Sequence, residues 1–234
     1  MFLVDVLSGL LRPANCLACG VPRAWPCCGR CLPPDPTDVG PWSLAADPDL
    51  ACWALGPYRD TLRAAVLAGK FDGQPAALAE LGRRLGTAMA TAGAGADLVT
   101  YVAARRSSGH PRDHAEQIAR GVAAALDVPV VDLLAPARGR DLGRARRAAR
   151  SPTRPPPTRP PPAARRRLAG GRVLLVDDLA TTGATLAGAA AALQAAGARR
   201  VEAAVLATAP TALATTPEVL GAASSGLATA QGAP

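Results

Sequence analysis

Val173-Leu174-Leu175-Val176-Asp177-Asp178-Leu179-Ala180-Thr181-Thr182-Gly183-Ala184-Thr185-Leu186 is the stretch whose reading decides the fold. Its first four residues are an unbroken apolar run, the pattern of a parallel strand buried on both faces. Two carboxylates, Asp177 and Asp178, follow at the carboxyl end of that strand, where open α/β sheets bind ligands. Ala180, Thr181, Thr182, Gly183, Ala184 and Thr185 are small or hydroxylated, and the alanine-rich segment from Leu186 to Ala196 has high helix propensity. A loop of this kind opening a helix offers unpaired amides and the positive end of the helix dipole to a phosphate. The three threonines add hydroxyl donors. A phosphate on the loop, beside two carboxylates that accept hydrogen bonds from neighbouring hydroxyls, describes a ribose 5-phosphate. The plainer reading is a buried strand, a solvated acidic turn and an ordinary helix start.

Two other phosphate chemistries fail on single residues. A Walker loop needs a lysine after its last glycine, and the only lysine of the chain is Lys70. A phospho-receiver domain carries its acidic pair on the first strand, whereas here only one further strand is expected after Val176.

Working outward, the chain alternates helices and strands. Tyr58 to Leu67 reads as a short helix, and Ala76 to Ala92 as a longer one with Leu78, Leu81, Leu85 and Met89 on one face. Asp97 to Val102 is expected as a strand. Asp113 and Glu116 resemble a capping box for a helix through Leu126. Strands at Val128–Leu133 and Val201–Ala207 complete an α/β fold with a doubly wound parallel sheet. Aromatic residues make up only 3% of the 234 residues, so the core must rest on Leu, Val and Ala.

Towards the N-terminus, Cys16-Leu-Ala-Cys19 and Cys28-Gly-Arg-Cys31 are two C-x-x-C pairs. Their spacing matches a closed tetrahedral four-thiolate site for a structural Zn2+, with disulfides the weaker explanation. Cys27 is an alternative ligand to Cys28, and Cys52 fits a small buried hydrophobe. Met1 to Asn15 suits a short amphipathic helix better than a signal peptide, since it has no basic n-region and Asp5 interrupts the apolar run. No stretch approaches the ~18 apolar residues of a membrane span, so no membrane insertion is expected and a cytoplasmic location is. Pro33 to Pro48 reads as a linker.

The net charge is +8, but it is local. Arg138 to Arg167 holds eleven arginines against one acid, a net +10 that leaves the rest of the chain at −2. Ser151 to Pro162, with two Pro-Pro-Pro runs, must be extended polyproline II. Such a segment either binds nucleic acid by counterion release or is a solvated loop. It lacks the aromatic residues that stack on bases. His110 and His114 either touch substrate or face solvent; alone they make a poor metal site.

Val173–Leu186 resembles the phosphoribosyl-pyrophosphate (PRPP) signature of type I phosphoribosyltransferases. The resemblance implies that Asp177 and Asp178 contact the ribose 2- and 3-hydroxyls and that Ala180–Thr185 hold the 5-phosphate. It also implies Mg2+ bound with PRPP. Ala103 to Gly109 then becomes the pyrophosphate-side loop, with Arg105 and Arg106 available to the anion or simply solvated. Together with the tetracysteine module, the layout resembles the ComF competence-protein family, most closely in the cysteine pairs, Lys70-Phe71-Asp72-Gly73 and Val173–Leu186. His110-Pro111-Arg112-Asp113-His114 departs from that family's pattern and keeps only Asp113. The expected division is a zinc module with linker over residues 1–50 and a phosphoribosyltransferase-like domain over 51–209, with a basic insertion at 135–170. A disordered tail over 210–234 completes it. Two functions follow. One is a protein that binds PRPP or a related ribose 5-phosphate ligand and transfers the phosphoribosyl group. The other is a non-catalytic accessory factor of DNA uptake that contacts single-stranded DNA or a competence helicase.

Overall fold

The computed structural model describes residues 15–22, 26–31, 39–71, 74–102, 114–134, 168 and 170–214. Arg105, Arg106, His110, the 1–14 segment and the arginine-rich run from 138 to 167 lie outside these described residues, as does the tail beyond 214.

Five strands form one sheet in the order β1-β2-β5-β4-β3. They are β1 (Trp42–Leu44), β2 (Asp47–Ala54), β3 (Leu98–Tyr101), β4 (Arg172–Ala180) and β5 (Arg200–Thr208). The pairs β2–β5, β5–β4 and β4–β3 are parallel, and β1 runs antiparallel to β2. Among the described residues four helices pack on this sheet: α1 (Asp60–Phe71), α2 (Pro75–Thr91), α3 (His114–Leu126) and α4 (Ala184–Ala195).

Burial on both faces explains why β4 is an unbroken apolar run. Leu174 and Val176 point into one core with Trp53, Val99 and residues of α1, α2 and α3. Val173 and Leu175 point into the other with Leu98, Cys52, Leu133 and α4. None of the four is more than 2% exposed. Glycine sets the depth of the helical layer, because α2 and α3 touch backbone to backbone. A Cβ on Gly121 would stand 1.9 Å from the Ala79 carbonyl oxygen, and one on Gly82 2.3 Å from that of Ile118.

Several expectations need correction. β4 runs to Ala180 rather than stopping at Val176, because β5 continues to pair with it as far as Ala180↔Thr208. The expected strand at Val128–Leu133 reduces to a single bridge, Val99↔Val130. Pro129 has no amide to give a ladder, and the Leu133 amide donates to the Thr100 hydroxyl (3.3 Å) instead of a neighbouring strand. The linker expected from Pro33 ends earlier: Trp42 onward is the β1–β2 hairpin, and β2 runs through the 50/51 boundary. Residues 210–214 are structured rather than part of a disordered tail. Leu213 bridges to Leu44, and the Ala214 amide donates to Ser43 O (3.0 Å).

Candidate functional site: the loop after strand β4 and the cysteine cluster

The first site stands at the carboxyl end of β4. Alternation along a strand continues the Leu174/Val176 face to Asp178, on the side covered by α1, and the Val173/Leu175 face to Asp177. Both carboxylates are half-buried. Asp177 Oδ1 accepts from the Asp178 amide at 2.8 Å, so the main chain fixes its orientation. Asp178 is held from outside the strand: Lys70 Nζ, from the last turn of α1, lies 2.5 Å from its Oδ2. Reading the sequence placed Lys70 in a short matching motif but gave it no role at this site; its being the chain's only lysine was the available signal.

After Ala180 the turn is three residues long, Thr181 to Gly183, and Ala184 and Thr185 already belong to α4. Gly183 is the N-cap of α4 at φ 75°, a left-handed conformation that side chains adopt at a cost. Its underside rests on Leu44: a Cβ there would meet the Leu44 side chain at 3.4 Å. The Thr182 hydroxyl accepts from the Ala184 amide (3.3 Å), while Thr181 and Thr185 are exposed. From behind, the Thr211 hydroxyl donates to Thr181 O (2.8 Å) and the Ala209 amide to Ala180 O (2.8 Å). The loop is therefore clamped between the β1 hairpin and residues 209–214. The loop joins the first-turn amides of α4 and the threonine hydroxyls to a strand end that carries Asp177 on one face and Asp178 on the other. That set suits an anion with neighbouring hydroxyl groups.

The second site is the cysteine cluster. The sulfurs of Cys16, Cys19, Cys28 and Cys31 all lie within 4.8 Å of one another. Cys19 Sγ and Cys28 Sγ are 3.7 Å apart, close to the ~3.8 Å between sulfurs on a tetrahedron with Zn–S bonds of about 2.3 Å. The four thiols could therefore hold a metal ion, and Cys28 rather than Cys27 is the member of the set. Cys27 is buried 1% exposed, its thiol pushed up to about 12 chiefly by burial, and its carbonyl accepts from Arg84 of α2 (2.7 Å). It ties the module to the helical layer.

The two knuckles are built from the backbone: the Gly20 amide donates to Cys16 O (2.8 Å) and the Cys31 amide to Cys28 O (3.0 Å). The metal-free thiols are unequal. At Cys16 burial opposes ionisation, but the amides of Cys28, Cys19 and Ala18 outweigh it and bring the thiol down to about 6. Cys31 is pushed up to about 12, first by its hydrogen bond with Cys19 and then by burial. Four thiolates cannot crowd together without a cation to neutralise them.

A hollow of about 300 Å³ at the opposite end of the sheet is lined by Trp53, Arg172, Arg200 and Glu202 among others. Its charges are spent on one another: Arg172 pairs with Asp97 (3.0 Å), Arg200 with Glu202 (2.8 Å), and Trp53 Nε1 donates to Glu202 (2.7 Å). Among the described residues no helix is long and apolar enough to cross a membrane.

The family model of the phosphoribosyl transferase domain matches residues 111–219, a span that includes β4, the loop and α4. No curated protein matches the chain significantly. Among solved structures, the chain is similar to a glutamine PRPP amidotransferase from B. subtilis complexed with ADP and GMP. That match has 22% identity over 54% of this chain and 26% of that one, with a TM-score of 0.37. It is also similar to a purine phosphoribosyltransferase from Pyrococcus horikoshii (20% identity, 59% and 76% covered, TM-score 0.34). A third is TT1426 from Thermus thermophilus (22% identity, 57% and 75% covered, TM-score 0.37). The chain spans about a quarter of the length of the amidotransferase.

Proposed function

We propose that this chain, whose residues 111–219 match the phosphoribosyl transferase domain, binds PRPP or a related ribose 5-phosphate ligand at the end of β4. The observation that supports this best is the joining of a glycine-capped helix start at Gly183 to two half-buried carboxylates on the preceding strand. In this reading the Thr181–Thr185 amides and hydroxyls take the 5-phosphate, and Asp177 and Asp178 accept from the ribose hydroxyls. Arg105 and Arg106, which lie outside the described residues, would offer guanidinium groups to the leaving pyrophosphate.

Phosphoribosyl transfer breaks the bond between the anomeric carbon and pyrophosphate and forms one between that carbon and an acceptor nucleophile, through an oxocarbenium-like state. The chain's contribution is to position the sugar and neutralise charge. Mg2+ bound with PRPP would supply further charge neutralisation. Cys16, Cys19, Cys28 and Cys31 would hold Zn2+ with all four positions filled by sulfur, so that the ion would serve the fold. The tetracysteine cluster beside a domain of this kind supports a ComF-like layout and, with it, a cytoplasmic role in DNA uptake. The accessory reading, with single-stranded DNA or a competence helicase as partner, rests on the charge of the 138–167 run and on the departure of His110–His114 from the family's pattern.

Calorimetry with PRPP and Mg2+ tests the pocket. Wild-type protein is expected to bind. Asp178→Asn, which replaces an ionised acceptor by a neutral amide of the same shape, is expected to lose about ten- to a hundredfold in affinity. Wild-type protein that does not bind PRPP at millimolar ligand overturns the assignment.

A further inference from the structure

Lys70 is the only lysine of the chain, and the fold directs it to the acidic pair. The Lys70 and Asp178 side chains are 15% and 24% exposed, with Nζ 2.5 Å from Oδ2. This is not a surface ion pair of the freely hydrated kind. The two carboxylates are oriented by different means. Asp177 is fixed by the amide of its neighbour, whereas Asp178 depends on a cation brought from another element, the last turn of α1.

Asp178, a carboxylate at an open strand end, is a hard oxygen ligand, which attracts a divalent cation as readily as it accepts from hydroxyls. A sugar site needs the second behaviour without the first. We propose that Lys70 is a specificity-determining positioning residue of this site. Its ammonium takes the cation position beside Asp178, keeps divalent metal off that carboxylate, and leaves it as a hydrogen-bond acceptor for a ribose hydroxyl. An ammonium suits this task because it is a compact charge with three donors. It holds one carboxylate oxygen and still has donors to offer the sugar. The inference rests on the ribose reading of the site and adds to it how the site separates sugar from metal.

The test uses the full-length, zinc-loaded protein in two titrations, one with Mn2+ alone followed by electron paramagnetic resonance and one with ribose 5-phosphate in the absence of divalent metal. Lys70→Met keeps most of the stem and removes the charge; Lys70→Gln is the second variant, in case Met alters folding as judged by thermal melting. The expected result is that either variant gains an Mn2+ site absent from the wild type. Adding Asp178→Asn in the same chain should abolish that site. Ribose 5-phosphate affinity is expected to fall about tenfold or more in both variants, and Lys70→Arg should restore much of it. The proposal is overturned if wild type and Lys70→Met bind Mn2+ alike, or if Lys70→Met binds ribose 5-phosphate as the wild type does. Wild-type protein that fails to bind ribose 5-phosphate would instead overturn the ribose reading, and the Mn2+ titration would still decide whether Lys70 excludes metal.

Discussion

The Thr181–Gly183 loop and the Cys16–Cys31 cluster are both short turns that gather ligand-binding groups, yet different forces hold them. The loop is shaped by the protein alone. Buried strands fix its start, Leu44 supports Gly183 from below, and Thr211 and Ala209 clamp its carbonyls. In the cluster the thiols converge, but their ionisation is unequal: Cys16 is down at about 6 and Cys31 up at about 12. The first is preorganised by the core. The second brings together four thiols that could hold a metal ion, and metal binding at such a cluster is coupled to local folding.

The largest effect should come from the cysteine cluster. Cys16→Ser, or chelation, is expected to remove the single Zn2+ and with it a local stabilisation on the order of 10 kcal/mol. Limited proteolysis should then cut within residues 15–31 while the sheet resists. If the sheet melts together with the module, the two regions are not independently held.

A smaller but global loss is expected from Gly121→Val. Its Cβ would stand 1.9 Å from a backbone oxygen that cannot move without α2, so overpacking should cost about 3 kcal/mol or more. Thermal unfolding measures this. Zinc stoichiometry of the surviving folded fraction should not change, which separates the two regions in the opposite sense.

The smallest effect sharpens the description of the loop. Thr211→Val removes one hydroxyl donor to Thr181 O and should cost about 0.5–1.5 kcal/mol, with a few-fold loss of ribose 5-phosphate affinity and no change in zinc content. An unchanged affinity would mean that the clamp from residue 211 does not shape the phosphate site.

Much of this contrast was legible in the sequence because its signals are local. The apolar run Val173–Val176, the acids after it, and a glycine between threonines specify strand, turn and helix within fourteen residues. The C-x-x-C spacing likewise marks its own convergence. Contacts distant in sequence were not legible. Lys70 reaches Asp178 across more than a hundred positions, and only the order of the sheet brings α1 beside β4. Leu44 and Thr211 support the loop through a hairpin lying in a stretch that composition marks as linker and through residues it marks as tail. Pro129 shows the reverse case. The apolar pattern around it is that of a strand, and the missing amide leaves a single bridge.

The most direct test of the central claim follows backbone amide resonances of isotope-labelled, zinc-loaded protein as ribose 5-phosphate is added. Saturable shifts are expected at Thr181, Thr182, Gly183, Ala184 and Thr185. The amides of Cys16–Cys31 and those around Arg172 and Arg200 should stay in place. Shifts confined to the Arg172–Arg200 hollow, or none in the Thr181–Thr185 loop at saturating ligand, would contradict the account.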